Sequence, residues 1–160
     1  PGLYFEPIRL YRSVKGEVPE GAYTVPIGKA RVVKEGSDVT LLAYGTMVGV
    51  AEKAAAEAEE KRGVSIEVID LRSIVPMDMD TIFASVKKTG RVVVVHEAVE
   101  SGGVAAEIIA RINEEAILHL EAPVMRVTGF DTPFPTPMIE DEWMPTAGRV
   151  QTAINQVLDF

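Results

Sequence analysis

From Gly28 to the C-terminus, short apolar runs of strand length alternate with stripes of helical period. Glycine or proline marks most of the switches. This alternation restricts the fold more than any single residue does, because strand and helix periods traded in turn produce right-handed crossovers and a mainly parallel sheet. Val39-Thr40-Leu41-Leu42-Ala43-Tyr44 is almost continuously apolar, as expected of a strand covered on both faces. The pattern predicts strands over 30–33, 39–44, 65–70, 91–96 and 123–128. Between them, Val48, Ala51, Ala55 and Ala58 form one helical stripe, and Ala105, Ile109, Ile112 and Ala116 another. Val150, Ala153, Ile154, Val157 and Leu158 form the last. Gly63 and Gly90 stand where left-handed helix caps belong, and Asp78 is placed to cap the helix after Pro76-Met77. The predicted class is α/β, one domain in three α/β/α layers.

Residues 1–28 have no sustained period and are punctuated by Pro7, Pro19 and Pro26, so they predict an irregular connector, leaving 29–160 as the domain. The connector carries Tyr4, Phe5, Ile8, Leu10 and Tyr11, which need a surface to cover. A start at Pro1 without methionine predicts a piece of a longer chain.

With 24 acidic against 16 basic residues, the formal net charge is -8, which argues against a non-specific nucleic-acid binder and suits a basic protein partner. No cysteine is present, so disulfides and thiolate chemistry are excluded. Apolar runs such as Val92-Val93-Val94-Val95 are too short to cross a bilayer, and the first residues lack the basic and apolar regions of a signal peptide.

Open parallel sheets bind ligands beyond the carboxyl ends of their strands. Two loops qualify: Gly45-Thr46-Met47, and Glu97 through Gly102-Gly103, which enters a helix. These define a strand-end crevice of Gly45, Thr46, Glu97, Gly102 and Gly103. Glu97 and Glu100 would oppose a phosphate there, and tight helix-sheet packing by Gly102 and Gly103 is the competing reading. His96 and His119 have no metal-ligand spacing; His96 could bond Glu97, and His119 near a helix end reads as structural. Asp70 and Arg72 lie two residues apart, on one side of an extended segment, and read as an ion pair or a subunit contact. Glu140-Asp141-Glu142 reads as a solvated loop. No G-x-S-x-G, G-x-G-x-x-G or G-x-x-x-x-G-K-[ST] motif occurs. The residues alone therefore give an α/β domain with a crevice and no complete catalytic set.

Several segments resemble the beta subunit of the E1 component of pyruvate and branched-chain 2-oxo acid dehydrogenases. They are Glu6-Pro7-Ile8-Arg9-Leu10-Tyr11-Arg12, Pro26-Ile27-Gly28-Lys29-Ala30, Tyr44-Gly45-Thr46 and Val68-Ile69-Asp70-Leu71-Arg72 followed by Pro76-Met77-Asp78. Farther on come Ser85-Val86-Lys87-Lys88-Thr89-Gly90-Arg91, His96-Glu97-Ala98 with Gly102-Gly103, and Leu120-Glu121-Ala122-Pro123. The last runs from Arg126-Val127-Thr128-Gly129-Phe130 through Asp131-Thr132-Pro133-Phe134-Pro135. The glycine pair leans toward the branched-chain type.

The resemblance implies a transketolase-type C-terminal domain with five strands, the first an antiparallel edge, following a pyrimidine-binding domain that is absent here. It implies that thiamine diphosphate and magnesium belong to the complete enzyme, with none expected in this chain and no catalytic, cofactor-binding or metal residue in it. The isolated chain is then expected to be inactive, although the whole enzyme oxidatively decarboxylates pyruvate or branched-chain 2-oxo acids. Implied partners are the E1 alpha subunit, a second beta subunit through Asp131, Thr132, Pro133, Phe134 and Pro135, and the basic subunit-binding domain of the E2 acyltransferase. The last would meet Glu121 and the terminal carboxylate of Phe160. The implied location is the cytoplasm, or the mitochondrial matrix in a eukaryote. The alternative is an independent small-ligand-binding domain that uses the crevice.

Overall fold

The computed structural model describes residues 2–160, and Pro1 lies outside them. The strands are β1 (Arg31–Lys34), β2 (Val39–Ala43), β3 (Ile66–Asp70), β4 (Val92–Val95) and β5 (Met125–Val127). The helices are α1 (Met47–Arg62), α2 (Met79–Thr89), α3 (Val104–Ala116), α4 (Glu140–Trp143) and α5 (Ala147–Leu158). The strands form one five-stranded sheet in the order β1-β3-β2-β4-β5. β1 runs antiparallel to β3, and every other pairing is parallel. The expected architecture, including the antiparallel edge, is therefore what the chain adopts.

The continuous apolar runs follow from helices on both faces. Val39, Leu41, Val68, Val93 and Val95 pack with α1 and α5, whereas Leu42, Ile69, Val92 and Val94 pack with α2 and α3. Alternate residues of each strand thus enter opposite layers, and all are buried. Ala51, Ala54, Ala55 and Ala58 are the buried face of α1, and their small side chains let it lie close to the sheet.

Asp78 caps α2 by accepting from the Thr81 amide, and Gly63 and Gly90 adopt left-handed caps. Strand bounds differ from expectation by one or two residues, an ordinary uncertainty at element ends. On α3 the buried stripe is Ala105, Ile108, Ile112 and Ala116, so Ile108 replaces the expected Ile109, which is only partly buried. Both are isoleucines, and the packing against α2 selects the helix rotation.

Residues 2–28 contain a single 3-10 turn, Ile8–Leu10, and are otherwise irregular. Arg9 fixes this segment by donating to Glu140 at 2.5 Å and Asp141 at 2.7 Å. Glu140 and Asp141 of α4 are therefore counter-ions of Arg9; the acidic group is largely solvated as expected, but it opens a short helix rather than forming a loop. Leu3, Tyr4 and Phe5 remain 87%, 88% and 82% exposed. No helix among the described residues is long and apolar enough to cross a membrane.

Candidate functional site

All parallel strands point the same way, so the sheet has two distinct ends. At the carboxyl ends lies a cavity of about 960 Å³, lined by Gly2 to Phe5, Pro7, Tyr44, Gly45, Thr46, Arg72 to Val75 and Glu97. Of the crevice expected from sequence, Gly45, Thr46 and Glu97 line this cavity, but Gly102 and Gly103 do not. Gly103 serves packing: a Cβ there would meet the Val99 carbonyl oxygen at 2.6 Å and His96 Cε1 at 2.7 Å. Gly102 faces open space and takes a φ of +71°.

His96 is wholly buried just past β4. Its Nδ1 bonds the Ala98 carbonyl oxygen at 3.1 Å rather than Glu97, correcting the expected His-Glu contact. A carbonyl only accepts, so Nδ1 carries the proton, and Nε2 is left as a buried acceptor with no partner. Burial lowers the His96 pKa and favours the neutral ring. Burial, then the charge of Glu97, raises the Tyr44 pKa. Asp70 is raised as well, chiefly by burial, against the opposing Arg72 amide and charge. Arg72 pairs with Asp70 through Nε at 3.7 Å, as a structural ion pair would, and its φ is +56°. The Glu97 carboxylate has no ion-pair partner among the described residues.

The amino ends are different. The C-termini of α1, α2 and α5 gather here, because each helix runs back against its strands. Their dipoles favour cations, and Arg62, Lys88 and Arg91 supply them. Glu67 on β3 is 2% exposed, yet it accepts from Ser85 and pairs with Lys88. Thr40 joins this group at 2.6 Å from Ser85 and 2.7 Å from Thr89. At the outer rim, Arg91 Nη1 lies 2.6 Å from Glu121 Oε2, and Arg91 Nε donates to the Val157 carbonyl oxygen at 3.0 Å. One guanidinium thus sets Glu121 beside the last turn of α5, which leads to Phe160, 81% exposed. Arg62 pairs with Asp159 at 2.7 Å, tying down the same end.

The structure therefore brings together Glu121 and the end of α5, which lie far apart in sequence. Sequence reasoning missed Arg91, which joins them, although an arginine opening the most apolar strand is a signal that its charge has a partner. The same holds for Glu67, a carboxylate inside a strand covered on both faces.

Asp131 to Pro135 form a strap past the carboxyl end of β5. Asp131 accepts from the Ser101 amide at 2.9 Å, and Thr132 Oγ1 accepts from Trp143 Nε1 at 3.0 Å. Phe134 packs edge-on against Trp143 with centroids 5.0 Å apart, yet stays exposed. Arg149 holds the strap's base, donating to the Thr128 carbonyl oxygen at 2.6 Å and stacking over Phe130 at 4.6 Å. His119 is exposed in the 3-10 turn Ile117–His119.

Residues 28–150 match the protein family described as the C-terminal domain of transketolase. The chain is 56% identical over 135 residues to the mitochondrial 2-oxoisovalerate dehydrogenase subunit beta of Dictyostelium discoideum, covering 84% of this chain and 36% of that protein. It is 49% identical over 160 residues to the pyruvate dehydrogenase E1 component subunit beta of Bacillus subtilis, covering 100% of this chain and 49% of that one. The chain thus spans half or less of the length of these relatives. Among solved structures, a split-gene transketolase in an inactive beta4 tetramer superposes with a TM-score of 0.76 at 30% identity, over 92% of this chain and 47% of that one.

Proposed function

Because the chain belongs to the transketolase C-terminal domain family, we propose that it is the assembly and docking domain of a 2-oxo acid dehydrogenase E1 beta subunit. Residues 1–28 would be the connector from a preceding pyrimidine-binding domain, whose surface would cover Leu3, Tyr4 and Phe5. The observation that carries the docking role is the seating of Glu121 against the end of α5 by Arg91. It gathers an outward carboxylate and the end of α5 at one place on an acidic protein, complementary to a small basic domain. The partner would be the subunit-binding domain of the E2 acyltransferase, meeting Glu121 and Phe160. The strap Asp131 to Pro135 would meet a second beta subunit, since Phe134 is apolar, exposed and already packed against Trp143.

Thiamine diphosphate, with magnesium, would supply the decarboxylation chemistry of the whole enzyme. The residues of this chain do not fit it. Among the described residues no three His, Asp or Glu side chains converge to hold a cation, and Glu97 lines the strand-end cavity of about 960 Å³, where its charge would oppose a diphosphate. The chemistry would therefore lie on the other parts of the E1 assembly.

A small-ligand reading of the cavity is favoured by its volume and by Glu97, which lines it without an ion-pair partner among the described residues. One wall, however, is the segment Gly2 to Pro7, whose own apolar side chains need cover, so the space fits a protein surface better.

Titration of the chain with the basic E2 domain tests the docking role. Binding should be tight at low salt, weaken as salt rises, and drop in Glu121→Gln. An unchanged affinity in that variant would remove Glu121 from the interface. In sedimentation the chain should self-associate, and Phe134→Asp should shift it toward monomer.

A further inference from the structure

We propose that Arg91 is the positioning residue of this docking surface, acting through Glu121 and α5 rather than by touching the partner. The inference rests on the docking role proposed above and goes beyond it by naming what shapes the surface. Three observations support it.

First, the guanidinium is shared between two elements that the partner would meet together. Nη1 holds Glu121 Oε2 at 2.6 Å, and Nε holds the Val157 carbonyl oxygen at 3.0 Å. That carbonyl belongs to the last turn of α5, where helical partners run out and a cation is favoured. Ala122 and Val157 already share one buried cluster, and the planar fork of arginine adds a polar tie that sets Glu121 itself against the end of α5. A lysine has a single compact head and cannot reproduce that fork.

Second, the layering is right for an indirect role. The Arg91 side chain is 28% exposed and that of Glu121 is 59% exposed, so the cation lies beneath and the carboxylate faces out. Arg91 engages Oε2, which leaves Oε1 for a partner's cation.

Third, the backbone next to Arg91 is built around Glu121. The Gly90 carbonyl accepts from the Glu121 amide at 2.8 Å. Gly90 has a φ of +66°, and a Cβ there would meet Glu121 Cγ at 2.8 Å. Gly90 therefore provides the space in which Glu121 lies, and Arg91 provides its direction.

An ion pair this exposed stabilises a fold little. Its consequence is geometric: a glutamate already held by an ion pair, next to the tied end of α5, loses less freedom when a partner binds.

The test is a double-variant cycle on the full chain, using the basic E2 subunit-binding domain as probe at fixed low salt. Arg91→Gln should weaken binding about tenfold. The loss should lie in faster dissociation, because the surface carboxylate that steers encounter is still present. The melting temperature should change little. Arg91→Lys should fall between Arg91→Gln and the parent. In a Glu121→Gln background the same Arg91→Gln change should alter affinity less than twofold, because the group it orients is gone. If Arg91→Gln binds within twofold of the parent while Glu121→Gln is weakened, Arg91 has no positioning role and the docking reading survives. Equal losses from Arg91→Gln in both backgrounds would also overturn the assignment. Glu121→Gln binding as tightly as the parent would overturn the docking reading, and this inference with it.

Discussion

The groups that terminate the strands and the groups around the strand starts treat charge in opposite ways. At the carboxyl ends, the groups that terminate the strands are driven toward their neutral forms, and burial is the leading cause for Tyr44, Asp70 and His96. At the amino ends, pairing drives groups toward their charged forms. Lys88 is raised by its bond to Glu67, Glu35 is lowered by Lys88, and Asp159 is lowered by Arg62. The first end holds an orphaned His96 nitrogen, an unpaired Glu97 and a cavity walled by exposed apolar side chains. The second is closed, paired and ordered. On the proposed reading, the unsatisfied end would take cover from protein, whereas the satisfied end would be a surface that a partner meets without rearrangement. The usual rule that parallel sheets work at their carboxyl ends therefore does not locate the proposed docking role here.

The largest expected effect breaks the closed end. Lys88→Met leaves the Glu67 carboxylate buried with hydroxyls but no cation. It should cost about 3 kcal/mol, the low side for an opened buried pair because the lysine head reaches solvent. Denaturant midpoints of the variant and parent measure it. A loss below about 0.5 kcal/mol, the scale of an ordinary surface pair, would mean that Glu67 is solvated.

A smaller effect is expected from crowding the open end. Gly103→Ala pushes a methyl group into the Val99 carbonyl and the His96 ring, and should cost about 2 kcal/mol as overpacking. Thermal melts at one protein concentration would read it.

The smallest change is the most discriminating. His96→Leu removes one hydrogen bond and one unpartnered nitrogen from a buried site, so at neutral pH it should cost less than about 1 kcal/mol. Its signature is in the pH dependence. The unfolded chain takes up a proton as pH falls through about 6.5, and the folded chain resists because the His96 pKa is lowered. Parent stability should therefore fall as pH drops below that value, and the leucine variant should lose this component. Identical slopes between about pH 7 and 5 would mean that His96 titrates normally in the fold.

Much of the fold was legible because it rests on local signals. The caps at Gly63, Asp78 and Gly90 and the runs of β2 and β4 act over a few residues, and all appear where their chemistry requires. What was not legible depends on distant partners. Arg9 meets Glu140 and Asp141 across more than 130 positions, and neither local sequence identifies the other. The choice of Ile108 over Ile109 is made by α2, not by α3's own period. The crevice residues were half separable: Gly45, Thr46 and Glu97 converge, whereas Gly102 and Gly103 serve the turn into α3. Glu121 and Phe160 came from a family resemblance, and only the fold brings their segments under one arginine.

The comparison of the two ends is tested most directly by amide hydrogen exchange of the chain with and without the basic E2 domain. Docking at the amino ends should slow exchange at residues 119–122 and in the last turn of α5, with residues 44–46, 72–75 and 97–103 unchanged. Protection confined to the strand carboxyl ends, with Glu121 and the end of α5 exchanging as in the free chain, would contradict it.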